Sequence, residues 1–344
     1  MSAPILIWGA GAIGGSLGAA FVRAGREVVF VDAVPAHVAA INADGLRITG
    51  PLFEDTIEAR AALPQHVTGT FDTAFLCVKA LHTLLATRAL APHLDANGYV
   101  VSAQNGLNEP IIAGVVGAHR TMGCFVNFGA DYIEPGVVHL GGRGAVVVGE
   151  LDGADTPRLA DLHALMQTFD PAAIRTGNIY GYLWGKLVYG ALLIAIAVTN
   201  DGIADALDNP RYREVLAGLG REVGAVAEAE GIVTEAFNGF DPAAFAPGAA
   251  QALADRSFAD MVAHNRRSAK THSGIWRDLA VRKRQTEVAA LLAPVVEAGR
   301  RRGVPTPLVA RIIDMIHEIE AGTRELDAEN LAILAVGGGH RQVA

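Results

Sequence analysis

The stretch Gly9-Ala10-Gly11-Ala12-Ile13-Gly14 constrains the fold more than any other part of the chain. It follows an apolar run, residues 4–8, that reads as a strand. It opens a run with an apolar face, residues 13–24, that reads as a helix. A strand, a G-x-G-x-x-G turn and a helix in that order form a dinucleotide fingerprint. The first glycine permits the tight turn, the second lets backbone approach a pyrophosphate, and the third lets helix and strand pack closely. Phosphates then rest on free N–H groups at the positive end of the helix dipole. Gly9, Ala10, Gly11, Ala12, Ile13 and Gly14 are thus the expected cofactor-binding turn.

Asp32 closes a second strand, 23 residues after Gly9. A carboxylate there accepts ribose hydroxyls and repels a 2′-phosphate. Ala33, Val34 and Pro35 follow, with no arginine or lysine to bind that phosphate. NAD is the expected cofactor and NADP the weaker alternative. His37 is the one nearby group that could add positive charge. No second signature of a flavin site accompanies the first.

Further strands are expected at 71–78, 99–102 and 121–128, with helical runs between them. Apolar strands separated by helices imply a parallel sheet covered on both faces. The segments 137–139 and 145–149 look like a hairpin or edge pair. A helix over 157–169 ends at Asp170-Pro171. Beyond residue 178 the strand signals stop. Helices are expected over 182–197, 212–229, 287–302 and 307–320. Val215, Leu219, Val223 and Val226 show the spacing of three and four that defines a helical stripe. Residues 240–250 read as a loop and 337–344 as a frayed tail. The fold class is therefore α/β: a Rossmann-like parallel-sheet domain, 1–175, then an all-helical substrate and dimerisation domain, 178–335.

Composition limits the functional classes. Hydrophobic residues make up 51% of the chain and the net charge is only -8, so disorder is excluded. That balance lacks the basic face of a nucleic-acid binder. The apolar run 187–199 falls short of the roughly 20 residues that span a bilayer. Neither a signal-peptide pattern nor a membrane span is expected, and the location is read as cytoplasmic. Cys77 and Cys124 sit in apolar runs and read as small buried residues.

Several polar residues stand where chemistry can be done. Lys79 follows Cys77-Val78 at the carboxyl end of a strand, where ligands bind in such sheets. Asn105, in Gln104-Asn105-Gly106, offers a donor and an acceptor, and Asn-Gly is also a common turn pair. Lys186 interrupts an apolar helix and needs a partner or a wet cavity. There it can polarise a carbonyl and donate a proton. The densest polar stretch of the helical half runs from Lys270 to Asp278 and on to Arg282, Lys283, Arg284, Thr286 and Glu287. His272, Ser273 and Arg277 are its candidate ligands for a carboxylate-bearing substrate. His264, His317 and His340 lack metal-like spacing, so no metal is expected. No serine-nucleophile elbow is present.

In order, Gly9 to Gly14, Cys77-Val78-Lys79, Gln104-Asn105-Gly106, Trp184-x-Lys186 and Thr286-Glu287 resemble the ketopantoate reductase family over residues 3–320. The resemblance implies a dinucleotide-dependent reductase that turns a 2-oxo acid into a 2-hydroxy acid. It implies a Rossmann domain, a helical domain and a site between them, often in a homodimer. It implies Lys186 as general acid and Lys79 and Asn105 near nicotinamide and substrate. Glu287 is implied to bind the substrate hydroxyl or support the lysine. The family usually carries asparagines four and eight residues beyond that lysine, where this chain has Gly190 and Ile194. His272-Ser273-Gly274-Ile275 replaces its usual Ser-Ser-Met-like stretch, and Asp32 runs against its usual NADPH preference. The reaction type therefore transfers better than the substrate. The alternatives are a dehydrogenase of a larger alcohol or carbonyl compound using NAD, and a non-catalytic dinucleotide sensor. A sensor has no use for Lys186 in an apolar helix.

Overall fold

The structure, a computed structural model, describes residues 3–267 and 271–337. Lys270, His340 and all but the first residue of the tail 337–344 lie outside the described residues. The chain divides into two compact units, residues 1–179 and 180–344.

Unit one contains β1 (Ile5–Trp8), α1 (Ala12–Arg23), β2 (Val28–Val31), α2 (Pro35–Asp44), β3 (Leu46–Thr49), β4 (Asp55–Ile57), β5 (Arg60–Ala62) and β6 (Phe71–Leu76). It continues with α3 (Thr83–Leu90), β7 (Leu94–Ser102), α4 (Glu109–Val116), β8 (Thr121–Val126), β9 (Gly129–Glu134), β10 (Val137–Gly142), β11 (Val146–Glu150), α5 (Pro157–Phe169) and β12 (Ile174–Arg175). Its main sheet has the order β12-β11-β8-β7-β6-β1-β2-β5. From β8 to β5 every neighbouring pair is parallel, while β11 runs antiparallel to β8.

The pleat of β1 explains why both faces are covered. Ile5 and Ile7 join Leu17, Phe21, Phe30 and Phe75 in one buried cluster. Leu6 and Trp8 join Val31, Leu76, Leu90 and Ile112 in another. A strand with large apolar side chains on both sides can lie only at the centre of a sheet. Each such side chain contributes about 1.5–3 kcal/mol when fully buried.

Two expectations need correction. Residues 137–139 and 145–149 do not pair with each other. β10 pairs with β9 and β3 in a second sheet of order β4-β3-β10-β9, whereas β11 joins the main sheet. Gly141 and Gly142 end β10 and Gly144 lies in the crossover to β11, where a Cβ would stand 2.1 Å from the Asn127 carbonyl oxygen. Cys124 is buried as expected, but Cys77 is only half-buried.

Unit two is helical among its described residues: α6 (Ile179–Ile196, which starts one residue before the division), α7 (Ile203–Asp208), α8 (Arg213–Ala229), α9 (Gln251–Arg266), α10 (Gly274–Trp276), α11 (Val288–Arg302), α12 (Pro307–Glu320) and α13 (Glu329–Gly337). A turn of 3-10 helix, Pro242–Phe245, stands inside the expected loop. α6 starts three residues before its expected start and spans 18 residues, long and apolar enough to cross a membrane. Two-thirds of it is buried inside the protein, as in a core helix.

Candidate functional site

The glycine turn is built by close approach. Gly9 has a φ of +103°, and its N–H donates to the Val31 carbonyl at 2.7 Å. A Cβ there would stand 2.8 Å from the Val78 nitrogen. At Gly14 a Cβ would lie 2.0 Å from the Gly9 carbonyl oxygen and 2.8 Å from Ile7 Cγ2. Gly11 differs, since a Cβ there would meet nothing within 4 Å. The first turn of α1 carries no side-chain cap and no acidic residue. The turn thus presents backbone amides, a positive dipole end and open space, which fits a pyrophosphate.

Asp32 follows β2 directly. Its Oδ2 accepts from the Ala10 N–H at 3.0 Å and its Oδ1 from the Val34 N–H at 2.9 Å. Each oxygen retains a lone pair for a ribose hydroxyl. Tyr132 on β9 faces this carboxylate. Burial first, then the charges of Asp32 and Glu134, push its phenol above the usual range.

His37 does not offer the positive charge that its sequence position suggested. It is buried, with Nδ1 2.9 Å from the Gly136 nitrogen and Nε2 2.9 Å from the Ala10 carbonyl oxygen. A backbone N–H can only donate, so Nδ1 is unprotonated. The one ring proton is on Nε2 and goes to Ala10.

The loops after β6 and β7 carry Lys79 and Asn105. Lys79 is half-buried, and Asn105 is exposed just before Gly106, whose φ is +90°. A buried polar chain joins the two loops. Gln104 Nε2 donates to the Val78 carbonyl at 2.8 Å and to Thr83 Oγ1 at 2.9 Å. Thr83 Oγ1 lies 2.8 Å from both the Ala80 carbonyl oxygen and Asn108 Oδ1. Asn108 Nδ2 closes on the Asn105 carbonyl at 2.7 Å. Sequence reasoning missed Thr83 and Asn108. The available signal was a polar residue on the inner side of each helix start.

Next to this chain sits Glu109, fully buried, with neither carboxylate oxygen hydrogen-bonded among the described residues. Burial pushes its carboxyl up to about 7; its own N–H, the Ser102 hydroxyl and the Asn108 N–H lie outside good hydrogen-bond geometry and offset this only in part.

In unit two, the half-buried residues of α6 include Tyr182, Lys186, Tyr189, Gly190 and Leu193, which form one stripe. Gly185 lets the segment after α8 close on the helix, since a Cβ would stand 2.6 Å from the Glu235 carbonyl oxygen. Tyr189 packs against Phe237 and Phe240, and its hydroxyl accepts from Asn265 Nδ2 at 3.1 Å. Beside it, a Cβ at Gly190 would meet nothing within 4 Å. Ile194 is buried.

The structure sorts the polar stretch into supports and exposed groups. Ser273 is buried, and its Oγ accepts the Trp276 N–H at 3.2 Å, capping α10. The His272 ring stacks on Trp276 with centroids 3.9 Å apart, and its Nδ1 meets Thr271 Oγ1. Arg277 is half-buried and begins a π-helical turn, Arg277–Val281. Such turns recur at functional sites. Arg282 and Arg284 converge on the buried Asp278. Thr286 binds Glu320, and the half-buried Glu287 stands at the N-cap of α11. Among the described residues no group of three or more His, Cys, Asp or Glu could hold a metal ion.

Comparison with known proteins gives a consistent picture. The family described as "Ketopantoate reductase PanE/ApbA" matches residues 5–153, and "Ketopantoate reductase PanE/ApbA C terminal" matches residues 178–320. A 2-dehydropantoate 2-reductase of Archaeoglobus fulgidus is 28% identical over 92% of this chain and 98% of its own length. A PanE/ApbA family ketopantoate reductase from Ralstonia eutropha JMP134 superposes with a TM-score of 0.78 at 28% identity, covering 93% of this chain and 99% of that one. D-mandelate dehydrogenase, crystallised with NADH and anilino(oxo)acetate, shares the fold with a TM-score of 0.80 at 21% identity, covering 93% and 98%.

Two experiments test this geometry. Gly14→Ala is expected to destabilise the chain by about 2–3 kcal/mol in urea melts, because its methyl overlaps backbone. Gly11→Ala is expected to stay within about 1 kcal/mol of wild type. Equal melts for the two would refute the packing described. For Glu109, the native state holds a proton that the unfolded chain releases above its ordinary value of 4.5. Its contribution is therefore greatest below about 4.5, falls as pH rises to about 7, and is level above that. Glu109→Gln should match wild type at the acid end and exceed it at pH 8 by on the order of 3 kcal/mol. A stability difference that does not change with pH rules this out.

Proposed function

We propose that this chain, which belongs to the ketopantoate reductase family and is an NAD(P)-linked oxidoreductase of a carbonyl or hydroxyl substrate, uses NAD(H) and acts on a 2-oxo or 2-hydroxy acid with a bulky, apolar side chain. The observation that carries this reading is the open position at Gly190, one turn from Lys186 on the same less buried stripe of α6. A family-type asparagine at position 190 would fill that space with a polar carboxamide. Its absence leaves room for carbon and removes a hydrogen-bonding group for a hydroxylated chain. The ligand of the mandelate dehydrogenase, which carries an aniline ring, lends support to an aryl-bearing substrate.

A bound nicotinamide supplies the hydride. Gly9 to Gly14 would hold its pyrophosphate, and Asp32 would accept the ribose hydroxyls of NAD while disfavouring a 2′-phosphate. Lys79 and Asn105 act beside nicotinamide and substrate, held by the Gln104–Thr83–Asn108 chain. Lys186 places a proton on the substrate oxygen and stabilises the charge developing there, a contribution of roughly 10²–10⁴ in rate. In the oxidative direction the neutral amine takes that proton back. Arg277 and His272 are the candidate partners of the carboxylate, and Glu287 supports the lysine or a hydroxyl. Ser273 serves this site through its cap on α10.

The test is a substrate and cofactor matrix followed at the reduced-nicotinamide absorbance. Phenylglyoxylate should exceed ketopantoate, and NADH should exceed NADPH, each by about tenfold or more in kcat/KM, or about 1.4 kcal/mol. Lys186→Ala should lower kcat by roughly 10²-fold or more. Gly190→Asn should depress the aryl substrate selectively. A ketopantoate or NADPH preference overturns the corresponding assignment, and full turnover by Lys186→Ala overturns the proton donor.

A further inference from the structure

The backbone of residue 10 is held from two sides. Its N–H donates to Asp32 Oδ2 at 3.0 Å, and its carbonyl accepts from His37 Nε2 at 2.9 Å. His37 is in turn fixed through Nδ1 by the Gly136 N–H, 99 residues away in sequence. Gly136 is the turn between β9 and β10, with a φ of +78°, and its carbonyl accepts from the Arg47 N–H at 2.8 Å. A Cβ on Gly136 would stand 3.0 Å from that of Ala40, so α2 and this turn are in close contact. The Tyr132 ring meets the imidazole edge-on, with centroids 5.1 Å apart.

We infer that His37 is a positioning residue for the dinucleotide, tying the glycine turn through the Ala10 carbonyl to the β9–β10 turn. This rests on the dinucleotide reading of Gly9 to Gly14 and deepens it. Three facts support the inference. His37 is completely buried, so an unmet ring nitrogen would be costly, and both nitrogens are met by backbone. The residue it grips lies between Gly9, whose N–H is bound to the Val31 carbonyl, and Gly11, where the turn is open. The same peptide segment is gripped by Asp32, so ribose recognition and pyrophosphate recognition share one anchor. With the imidazole in place, the Gly9–Gly11 backbone is set before a ligand arrives, and less binding free energy goes to ordering it. The second sheet, which sequence reasoning did not foresee, thereby acquires a role at the cofactor turn.

The test uses three variants of the full chain, with NADH binding read by calorimetry and fold by thermal melting. Gln presents a donor and an acceptor at much the same separation as the two ring nitrogens. Asn reaches the Nδ1 position but stops short of Nε2. His37→Ala and His37→Asn should weaken NADH binding by about tenfold, raising KM for NADH with kcat at saturation little changed. His37→Gln should bind within about twofold of wild type. Nitrogen NMR of the ligand-free protein should find the proton on Nε2 and none on Nδ1. If His37→Ala fails to fold, His37→Asn carries the comparison, since it keeps the bond from Gly136. Unchanged affinity in His37→Asn, or a proton on Nδ1, overturns the inference while the functional reading stands. If wild type binds neither NADH nor NADPH, the functional reading falls, and this inference with it.

Discussion

The close approach of α1 to β1 is the constraint on which the rest of the nucleotide half depends. A Cβ at Gly14 would fall inside the Gly9 carbonyl oxygen, and one at Gly9 would fall on the backbone after β6. Only hydrogen atoms fit at those two positions. Their absence of side chains lets three pieces of backbone, the turn after β1, the first turn of α1 and the end of β6, lie against one another. That contact aims the start of α1 at the end of the sheet, where ligands bind in folds of this kind.

Around this contact the protein arranges polar groups in an apolar setting and links several of them in hydrogen-bonded chains. Asp32 and His37 hold the peptide at Ala10. Gln104, Thr83 and Asn108 hold the two loops that bear Lys79 and Asn105. Such chains rigidify a site because each member is costly to leave unmet. Ser102 Oγ, Gln104 Oε1 and both carboxyl oxygens of Glu109 are buried without a partner in good hydrogen-bond geometry. Burial raises the Glu109 carboxyl to about 7, which eases the cost of its charge as pH falls below that value.

In the helical half, the same physics assigns roles within a polar stretch that looked uniform. Asp278 is buried and collects Arg282 and Arg284, so those arginines serve the fold. Ser273 is spent on a helix cap. Lys186 is different because it stands on the less buried stripe of an otherwise buried helix, next to a glycine with open space. Family membership carries the reaction class, and the proposal about substrate rests on this local geometry.

Much was legible in one dimension because its causes are local. The glycine turn, Asp32, the apolar strands and the periodic helices over 212–229, 287–302 and 307–320 follow from backbone sterics and from spacing along the chain. α12 spans Pro307–Glu320, as its pattern predicts. The short strands β3, β4, β5 and β9 were not legible, because three to six residues carry little periodic signal and their pairing is decided by neighbours. The sequence alone thus determined the fold class, the cofactor turn and the candidate proton donor. Only the tertiary structure decided that His37 holds one proton and grips Ala10. It alone decided that Ser273 caps a helix and that Gly190 faces open space. Each of those outcomes depends on groups far apart in the chain, and burial sets their strength.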